Sequence, residues 1–189
     1  DVWAQAQTGS GKTAAYALPI LQNFSEPHAT SLRGVLILVP TRELAAQVGA
    51  VFTDYSRHIS NSLKIVTVHG GVSINPQMMK LRGRADVVVA TPGRLLDLVE
   101  KNAFKLSTVS LLVLDEADRL LDLGFSDELG RILEMLPRER QNLLFSATFP
   151  DAVTALAEAI LRDPVRIEIA ASVESTPNIH ECAVEVDAP

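Results

Sequence analysis

Short apolar segments alternate with longer amphipathic segments along most of the chain. The apolar segments are continuous, as in residues 35–39 (VLILV), which is typical of strands covered on both faces of a sheet. Strict alternation of strand and helix predicts an α/β fold, with a mostly parallel sheet of about seven strands and helices on both faces. The predicted strands are 2–6, 35–39, 65–68, 87–90, 111–114, 143–146 and 165–169. The predicted helices are 12–23, 41–60, 75–83, 92–101, 126–136 and 150–161.

Several of the predicted helices carry start signals. Pro76, Pro92 and Pro150 stand where a first helical turn tolerates proline, because an N–H at that place would have no helical partner. Ser126 is followed by two acidic residues, which predicts an N-cap with acidic side chains in the first turn.

Length and composition narrow the class of protein. The 189 residues suit one domain with a short appendage, and 47% of them are hydrophobic, which is enough for a substantial core. No run approaches the roughly 20 apolar residues of a membrane span. The single cysteine, Cys182, excludes an internal disulfide framework and favours a reducing setting. We therefore expect no membrane partner and a cytoplasmic location, with the nucleus left open.

The charge of the chain leaves its partner undecided. A formal net charge of −6 argues against a generic basic binder of nucleic acid. It is compatible with nucleic acid that is contacted through local arginines, backbone N–H groups and helix N-termini. The class of partner must therefore be inferred from the sequence motifs.

A glycine-rich stretch between the first predicted strand and the first predicted helix has the layout of a phosphate-binding loop. In such a loop Lys12 would reach the β- and γ-phosphates of a nucleotide, and the hydroxyl of Thr13 would bind Mg²⁺. The strict pattern begins with glycine, whereas this chain has Ala6. The alternative is a glycine-rich turn with an exposed lysine. The residues of the stretch are Ala6, Gln7, Thr8, Gly9, Ser10, Gly11, Lys12 and Thr13.

Two acidic residues, Asp115 and Glu116, follow the apolar strand 111–114. A buried strand fixes its own tip, so Asp115 can be held close to the Mg²⁺ that Thr13 also serves. Glu116 could orient or deprotonate an attacking water. Taken alone, the pair is more simply a solvated turn, but together with the upstream loop it predicts phosphoryl chemistry.

The polar and glycine-rich signal of the chain is concentrated directly after the predicted strands. Since the carboxyl ends of parallel strands meet at one edge of a sheet, these residues are expected to lie together. The segments concerned are 7–9, 40–43, 69–71, 91–94, 115–118 and 147–148.

Together these stretches resemble the first RecA-like domain of a DEAD-box RNA helicase, from Asp1 to about Ile169. Six motifs occur in the order of that family, which makes the resemblance specific. They are AQTGSGKT at 6–13, PTREL at 40–44, GG at 70–71, TPGR at 91–94, DEAD at 115–118 and SAT at 146–148.

The resemblance implies a role for each matching residue. Lys12, Thr13 and the rest of the loop 6–13 would bind ATP and Mg²⁺, Asp115 would hold the metal through water, and Glu116 would be the catalytic base. Asp118, Ser146 and Thr148 would couple the nucleotide state to RNA binding. The backbone of RNA, without base specificity, would be contacted by Pro40, Thr41, Arg42, Gly70, Gly71, Thr91, Pro92, Gly93 and Arg94.

Plainer interpretations exist for the smaller motifs. Thr41 could only cap the helix that follows it. Residues 91–93 could form an ordinary turn, and residues 146–148 could only cap the next helix.

The resemblance also implies parts beyond residues 1–169, which we assign to the ATP-binding helicase domain. An adenine-reading glutamine and an aromatic residue would precede Asp1 in a longer parent chain. Residues 170–189 are interpreted as a linker and the first strand of a second RecA-like domain, which would supply arginines to the ATP. Without that domain, this piece is expected to be weakly active or inactive.

Three functions are therefore open, and the leading one is the first half of an ATP-dependent RNA helicase that unwinds duplexes locally or remodels RNA–protein complexes. An ATP-gated RNA clamp without processive unwinding would look the same over this span. A P-loop ATPase acting on DNA is the third. A GTPase is disfavoured because no Asn-Lys-x-Asp stretch occurs, and a Rossmann dehydrogenase because Lys12 and Thr13 follow the glycines.

Overall fold

A computed structural model describes residues 1–7, 9–25, 34–59 and 61–169 of the chain. Seven parallel strands form one sheet within these residues. Thr8, and the predicted linker and strand at 170–189, lie outside the described residues. The strands are β1 (Val2–Gln5), β2 (Val35–Leu38), β3 (Ile65–Val68), β4 (Val87–Ala90), β5 (Leu111–Leu114), β6 (Gln141–Ser146) and β7 (Val165–Glu168). Their order across the sheet is β3-β4-β2-β5-β6-β1-β7.

The helices that connect the strands confirm the predicted α/β alternation. They are α1 (Lys12–Ser25), α2 (Arg42–Ser56), α3 (Ile74–Leu81), α4 (Pro92–Glu100), α5 (Ala117–Asp122), α6 (Ser126–Met135) and α7 (Asp151–Ile160). A single 3₁₀ turn, Leu106–Thr108, precedes β5.

Side chains that alternate along the strands divide the core into two layers. On one face, Val35 and Ile37 of β2 pack in a buried cluster with residues of α1 and α2. On the other face, Leu36 and Leu38 pack in a cluster that contains residues of α4, α5, α6 and α7. Because β2 is buried on both faces, its continuous apolar sequence is explained.

Several element predictions were wrong in detail. Helix α2 ends at Ser56 rather than at residue 60, because i→i−3 hydrogen bonds such as Arg57 N–H to Asp54 O replace the helical pattern. Helix α5 was not predicted, since it has only six residues. Ser126 is the first residue of α6 and not its N-cap.

The turn between α5 and α6 explains the misplaced cap. Gly124 has φ +84°, and the N–H groups of Gly124 and Phe125 donate to the carbonyls of Leu121 and Leu120, respectively. This is the Schellman arrangement, which ends one helix and here starts the next at once. Phe125 therefore takes the N-cap position.

Strand β1 lies between β6 and β7, where the side chain of Asp1 fixes its start. One carboxylate oxygen accepts a hydrogen bond from Asn142 N at 2.8 Å. The other accepts from Asn142 Nδ2 at 3.2 Å and from Arg162 N at 2.7 Å. Asp1 thus ties β1 to β6 and to the segment before β7, and so positions the loop that follows β1.

Over the described ranges, no helix combines the length and the apolar character needed to cross a bilayer.

Candidate functional site

The segments that follow the strands meet along one edge of the sheet, as expected for parallel strands. The adjacent strands β5, β6 and β1 carry residues 115–118, 146–148 and 6–13. The adjacent strands β3, β4 and β2 carry residues 70–71, 91–94 and 40–43. The predicted nucleotide residues and the predicted RNA residues therefore form two neighbouring groups that meet between β5 and β2.

The glycine-rich loop after β1 is open toward solvent. Gly9 and Gly11 have φ +85° and +87°, a left-handed conformation that side chains rarely adopt. A Cβ added to either would meet nothing within 4 Å, so glycine is needed there for the backbone conformation and not for space. Gln7 and Ser10 are exposed on the same loop. The loop has room for a bound group beside its backbone.

Ala6, which replaces the first glycine of the strict pattern, is buried in the core. It is 3% exposed, and its N–H donates to the carbonyl of Ser146 at 3.0 Å. The loop thus continues the pairing of β1 with β6 for one residue before it turns away. A small side chain is accommodated at this position.

Lys12, the first residue of α1, is a buried cation without a hydrogen-bond partner. It is only 9% exposed, and Nζ has no partner among the described residues. A buried, unpaired ammonium group is unfavourable unless an anion compensates it. The N-terminus of α1 adds partial positive charge at the same place. Lys12, Gly11 and the helix start therefore fit a phosphate chain.

Asp115 follows β5 and is 2% exposed. Burial raises the pKa of its carboxyl above the ordinary value, although the Tyr16 hydroxyl and the charge of Lys12 act in the opposite direction. The hydroxyl of Tyr16 donates a hydrogen bond to Asp115 Oδ2 at 2.8 Å. Burial is the main cause that raises the pKa of the Tyr16 phenol, and the negative charge of Asp115 is the second. Tyr16 therefore stays protonated and holds Asp115 in place.

Thr13 and Asp115 line one cleft and offer the oxygen ligands that Mg²⁺ prefers. No group of three or more His, Cys, Asp or Glu suited to a metal occurs in the described part of the chain. The residues present fit an ion that keeps several water molecules and binds phosphate, as Mg²⁺ does. They do not form a closed protein cage.

Glu116 has a strained backbone at the start of α5. Its φ of 52° and ψ of 54° lie in the left-handed region, which costs a residue other than glycine about 1–3 kcal/mol. Its side chain is buried in an ion pair, with Arg119 Nη1 at 3.1 Å from Oε2. Its N–H donates to Asp115 Oδ1 at 3.0 Å. The conformation turns the chain sharply between the two acidic residues.

The cleft that these groups share has a volume of about 570 Å³. It is also walled by the start of α2, where Thr41 and Glu43 lie. The hydroxyl of Thr41 accepts a hydrogen bond from Leu44 N at 3.2 Å, so Thr41 does cap α2. Thr41, predicted from the resemblance to line the RNA path, is thus placed at the boundary of the two groups.

Asp118, Ser146 and Thr148 form a second polar group, which we name the Asp118 cluster. One oxygen of Asp118 accepts from both the N–H and the hydroxyl of Thr148, each at 2.9 Å. Ser146 Oγ accepts from Asp118 N at 3.2 Å and donates to Thr148 O at 2.7 Å. Pro150 is the N-cap of α7, and no side chain caps that helix. The alternative in which residues 146–148 only cap the next helix is therefore wrong.

Hydrogen bonding dominates the charge state of Asp118. Partial burial works to raise the pKa of its carboxyl, but the hydrogen bonds from Thr148, and then that from Arg119 N–H, hold it below the ordinary value. The carboxylate is thus stabilised in its charged form. The Asp118 cluster joins the end of β6 to the start of α5.

The predicted RNA residues converge around Gly71 and Arg94. Gly71 has φ +80°, and a Cβ added there would lie 3.2 Å from Arg42 Nη1. Arg42 is exposed and pairs with Glu43. Arg94 Nη2 donates to Val72 O at 2.9 Å, which joins the loop after β3 to α4. Two arginines from different elements therefore flank one glycine-rich loop.

Arg94 resembles Lys12 in having unused donors. Its Nε and Nη1 are buried and have no hydrogen-bond partner among the described residues, although Asp97 lies 3.5 Å from Nε. Thr91 and Pro92 are buried at the start of α4. A Cβ added to Gly70 or to Gly93 would meet nothing within 4 Å, so the backbone at both glycines is open to solvent. Pro40 is also buried.

The sequence reasoning missed Tyr16 and Arg119, which contact Asp115 and Glu116. Helical spacing could have found both. Tyr16 stands four residues after Lys12, and Arg119 stands three residues after Glu116, so each pair shares a helix face or turn.

Comparisons with known proteins agree with this geometry. The model of the DEAD/DEAH box helicase family matches residues 1–156. The ATP-dependent RNA helicase DeaD of Escherichia coli (strain K12) is 42% identical over 181 residues, which are 96% of this chain and 28% of that protein. The ATP-dependent rRNA helicase RRP3 of Pyricularia oryzae is 50% identical over 177 residues, 93% of this chain and 32% of that protein. The chain thus spans about a third of the length of these relatives.

Two solved structures have a similar fold. A hypothetical ATP-dependent RNA helicase from Sulfolobus tokodaii superposes with a TM-score of 0.79 and 38% identity, over 89% of this chain and 48% of that one. A DEAD box protein from Methanococcus jannaschii gives a TM-score of 0.79 and 37% identity, over 89% and 45% of the two chains.

Proposed function

The chain belongs to the DEAD/DEAH box helicase family and has the RecA-like fold of its relatives, and from this premise we propose that it is the ATP-binding and RNA-binding first half of an ATP-dependent RNA helicase. The parent protein would couple ATP hydrolysis to local unwinding of RNA duplexes or to remodelling of RNA–protein complexes.

One observation carries the proposal. Lys12 presents a buried ammonium group without a partner beside an open glycine-rich loop, next to the desolvated carboxylate of Asp115. Such an arrangement is unfavourable for a merely structural turn, because a buried charge should find a hydrogen bond. It is favourable for a site completed by a phosphate chain and a divalent cation.

In the proposed mechanism Lys12 binds the β- and γ-phosphates of ATP, and Thr13 and Asp115 hold Mg²⁺, Asp115 through water. Bound Mg²⁺ would neutralise charge on the transferring phosphoryl group. Glu116 accepts the proton of the attacking water as general base. Arg119, whose Nη1 contacts Oε2 of Glu116, orients that carboxylate. Tyr16 keeps Asp115 in position by donating to it.

The Asp118 cluster is proposed to transmit the state of the nucleotide. It lies between the acidic turn after β5 and the end of β6, and its hydrogen bonds cross between those elements. A shift of residues 115–118 on hydrolysis would therefore move β6 and the start of α7 with it.

RNA is proposed to bind across the ends of β3, β4 and β2. Arg42 and the unused donors of Arg94 can bind phosphates, and the open backbone around Gly70, Gly71 and Gly93 allows close approach. Thr91 and Pro92 position the start of α4. These contacts are made to the sugar–phosphate backbone of the RNA, so we expect no base specificity.

The parent protein is proposed to contain a second RecA-like domain, to which residues 170–189 lead. That domain would supply arginines to the ATP and the other side of the RNA path. On this account the present chain binds ATP weakly and hydrolyses it very slowly alone. We propose a cytoplasmic location for the parent protein, with the nucleus left open.

The first experiment measures binding and turnover on this chain. A fluorescent ATP analogue is titrated with Mg²⁺ against the wild type, and ATP hydrolysis is followed with and without single-stranded RNA. Labelled RNA and DNA of the same sequence are then titrated against the wild type and the Arg94→Glu variant, with Arg138→Glu as a control outside both groups of residues.

We expect Mg²⁺-dependent binding of the analogue, preference for RNA over DNA, and loss of RNA affinity in Arg94→Glu only. Equal affinity for DNA would favour the DNA-directed ATPase instead. Robust RNA-stimulated turnover by this chain would contradict the need for a second domain. In the parent protein, ATP turnover without separation of a short duplex would favour the clamp.

A further inference from the structure

A second concave surface lies at the opposite edge of the sheet from the candidate site. It has a volume of about 1050 Å³ and is formed where α3 and α4 end and where β4 and β5 begin. All the residues assigned above to nucleotide or RNA lie at the other ends of the strands. This surface, which we name the basic groove, is therefore not used by the proposed function.

The basic groove has an apolar floor. Leu81 is buried, Met78 and Phe104 are half-buried against the core, and Met79 is 55% exposed. Methionine is flexible and polarisable, and it is common on surfaces that bind peptides of varied shape. The volume exceeds the roughly 300–1,000 Å³ of ordinary small-molecule cavities, so the floor can take several side chains.

The rim of the groove carries only positive charge. Its charged lining residues are Arg82, Arg84, Lys101 and Lys105, and no acidic residue lines it. Arg84 lies 3.5 Å from Asp86, but the other three form no ion pair with any carboxylate in the described ranges. Glu100, beside Lys101, is paired with Arg131 of α6 at 2.7 Å.

This local charge contrasts with the net charge of −6 of the chain. A uniformly positive rim on an acidic protein selects a partner of negative charge and repels positive ones. The apolar floor adds a requirement for hydrophobic side chains between the charges. Single-stranded RNA is less well matched, because RNA platforms stack successive bases on several aromatic rings and Phe104 is the only aromatic residue that lines the groove.

We propose that the basic groove is a docking site for an acidic segment of a partner protein, in which aspartate or glutamate residues alternate with leucine, methionine or phenylalanine. The carboxylates pair with Arg82, Lys101 and Lys105 at the rim, and the apolar side chains insert beside Met79 and Phe104. The groove thus attaches a partner on the side of the domain remote from nucleotide and RNA.

The probe for this proposal is a short fluorescein-labelled peptide in which pairs of glutamates alternate with leucine and phenylalanine. Its binding to the 189-residue chain is followed by fluorescence anisotropy. Two further peptides serve as controls. One replaces leucine and phenylalanine by serine, and the other replaces glutamate by lysine. A uridine oligomer is added as a competitor.

The chain offers a matched pair of double variants. Met79→Asp with Arg82→Glu alters the groove, while Met135→Asp with Arg138→Glu makes the same changes at the same spacing on and after α6. Lys105→Glu, in the residue before the 3₁₀ turn, tests the rim without touching a helix. Thermal unfolding checks that each variant folds, and binding of the ATP analogue checks that the candidate site is intact.

We expect saturable binding of the acidic apolar peptide, weakened about tenfold or more by the groove variants and changed less than about twofold by the α6 variant. Equal weakening by both double variants, equal binding of the serine peptide, or no saturable binding would overturn the proposal. Displacement of the peptide by the uridine oligomer would assign the groove to RNA. Dimerisation that the groove variants abolish would assign it to a second copy of the chain.

Discussion

Asp115 and Asp118 stand three residues apart, yet their surroundings are opposite. Asp115 is almost fully buried and keeps unused acceptor capacity beside the unpaired ammonium of Lys12. Asp118 is partly exposed and accepts hydrogen bonds from Thr148 and Arg119. Burial raises the pKa of the first carboxyl, whereas hydrogen bonds, against partial burial, lower the pKa of the second.

The difference separates two uses of a carboxylate. The hydrogen bonds of the Asp118 cluster are complete within the chain, so the cluster stabilises the fold and fixes β6 against α5. The groups around Asp115 are incompletely satisfied, so they are costly until a ligand binds. We therefore expect substitutions in the cleft to change ligand binding and turnover, and substitutions in the Asp118 cluster to change stability.

The largest effect is expected for Glu116→Gln in the full-length parent. The substitution removes the proposed base but keeps the size of the side chain, so hydrolysis should fall by about 10²–10⁴-fold while ATP binding persists. Single-turnover hydrolysis and titration of the ATP analogue measure the two quantities. Glu134→Gln, an exposed change on α6, is the control. A Glu116→Gln variant that turned over normally would exclude Glu116 as the base.

Lys12→Ala should abolish ATP binding, with a loss of at least about a hundredfold, or roughly 2.7 kcal/mol. The cause is removal of the only buried ammonium in the described part of the cleft. Titration of the ATP analogue measures the change, and Lys80→Ala, at an exposed position, should leave affinity unaltered. Unchanged affinity in Lys12→Ala would contradict the assignment of the phosphate-binding loop.

Asp118→Asn should destabilise the fold by about 0.5–1.5 kcal/mol near neutral pH, because the exposed Thr148 N–H and hydroxyl lose a charged acceptor that water only partly replaces. Since the folded-state pKa lies below its ordinary value of 3.8, this stabilisation is present above about that pH and is lost as the pH falls through the folded-state pKa. Urea unfolding at neutral and acid pH measures it, with Asp122→Asn as control. A difference from the wild type that persists in acid would be inconsistent with the charged acceptor.

The smallest effect, and one of opposite sign, is expected for Asp115→Asn. Burial raises the folded-state pKa above the ordinary value of 3.8, so the carboxylate costs stability once the pH exceeds that value. The amide should raise Tm by a few degrees near neutral pH, with the gain disappearing in acid. Mg²⁺-dependent binding of the ATP analogue should weaken in the same variant. A lowered Tm would contradict this expectation, because it would mean that the interactions of the charged Asp115 carboxylate stabilise the fold by more than its desolvation destabilises it.

Much of the fold could be predicted because the strands are buried on both faces. Their sequences are therefore continuous and apolar, and the alternation with helices fixes the parallel sheet. The start of β6 was missed because Gln141 and Asn142 are polar. The side chain of Asn142 is buried and hydrogen-bonded to Asp1, to Arg140 and to the carbonyl of Ile160. The contact with Asp1 joins residues more than a hundred positions apart, so no local pattern contains it.

The candidate site was predictable as a set of residues but not as an arrangement. The motifs identified Lys12 and Asp115, and the parallel sheet implied that they would be close. The left-handed backbone of Glu116 has no local sequence signal, because glycine or asparagine would be the usual residue there. Helical spacing marks Tyr16 as a candidate, but the contacts of Tyr16 with Asp115 and of Thr148 with Asp118 join separate segments and depend on tertiary packing.

The position of β1 between two strands from late in the chain has a consequence during synthesis of the protein. Its neighbours in the sheet, β6 and β7, begin at Gln141 and Val165. At a translation rate of about 5–20 residues per second, β1 and the attached glycine-rich loop therefore wait roughly 7–30 seconds for the first of these partners. Throughout that interval the strand that carries the glycine-rich loop has no partner in the sheet, and an unpaired strand of this kind makes a nascent chain prone to aggregation.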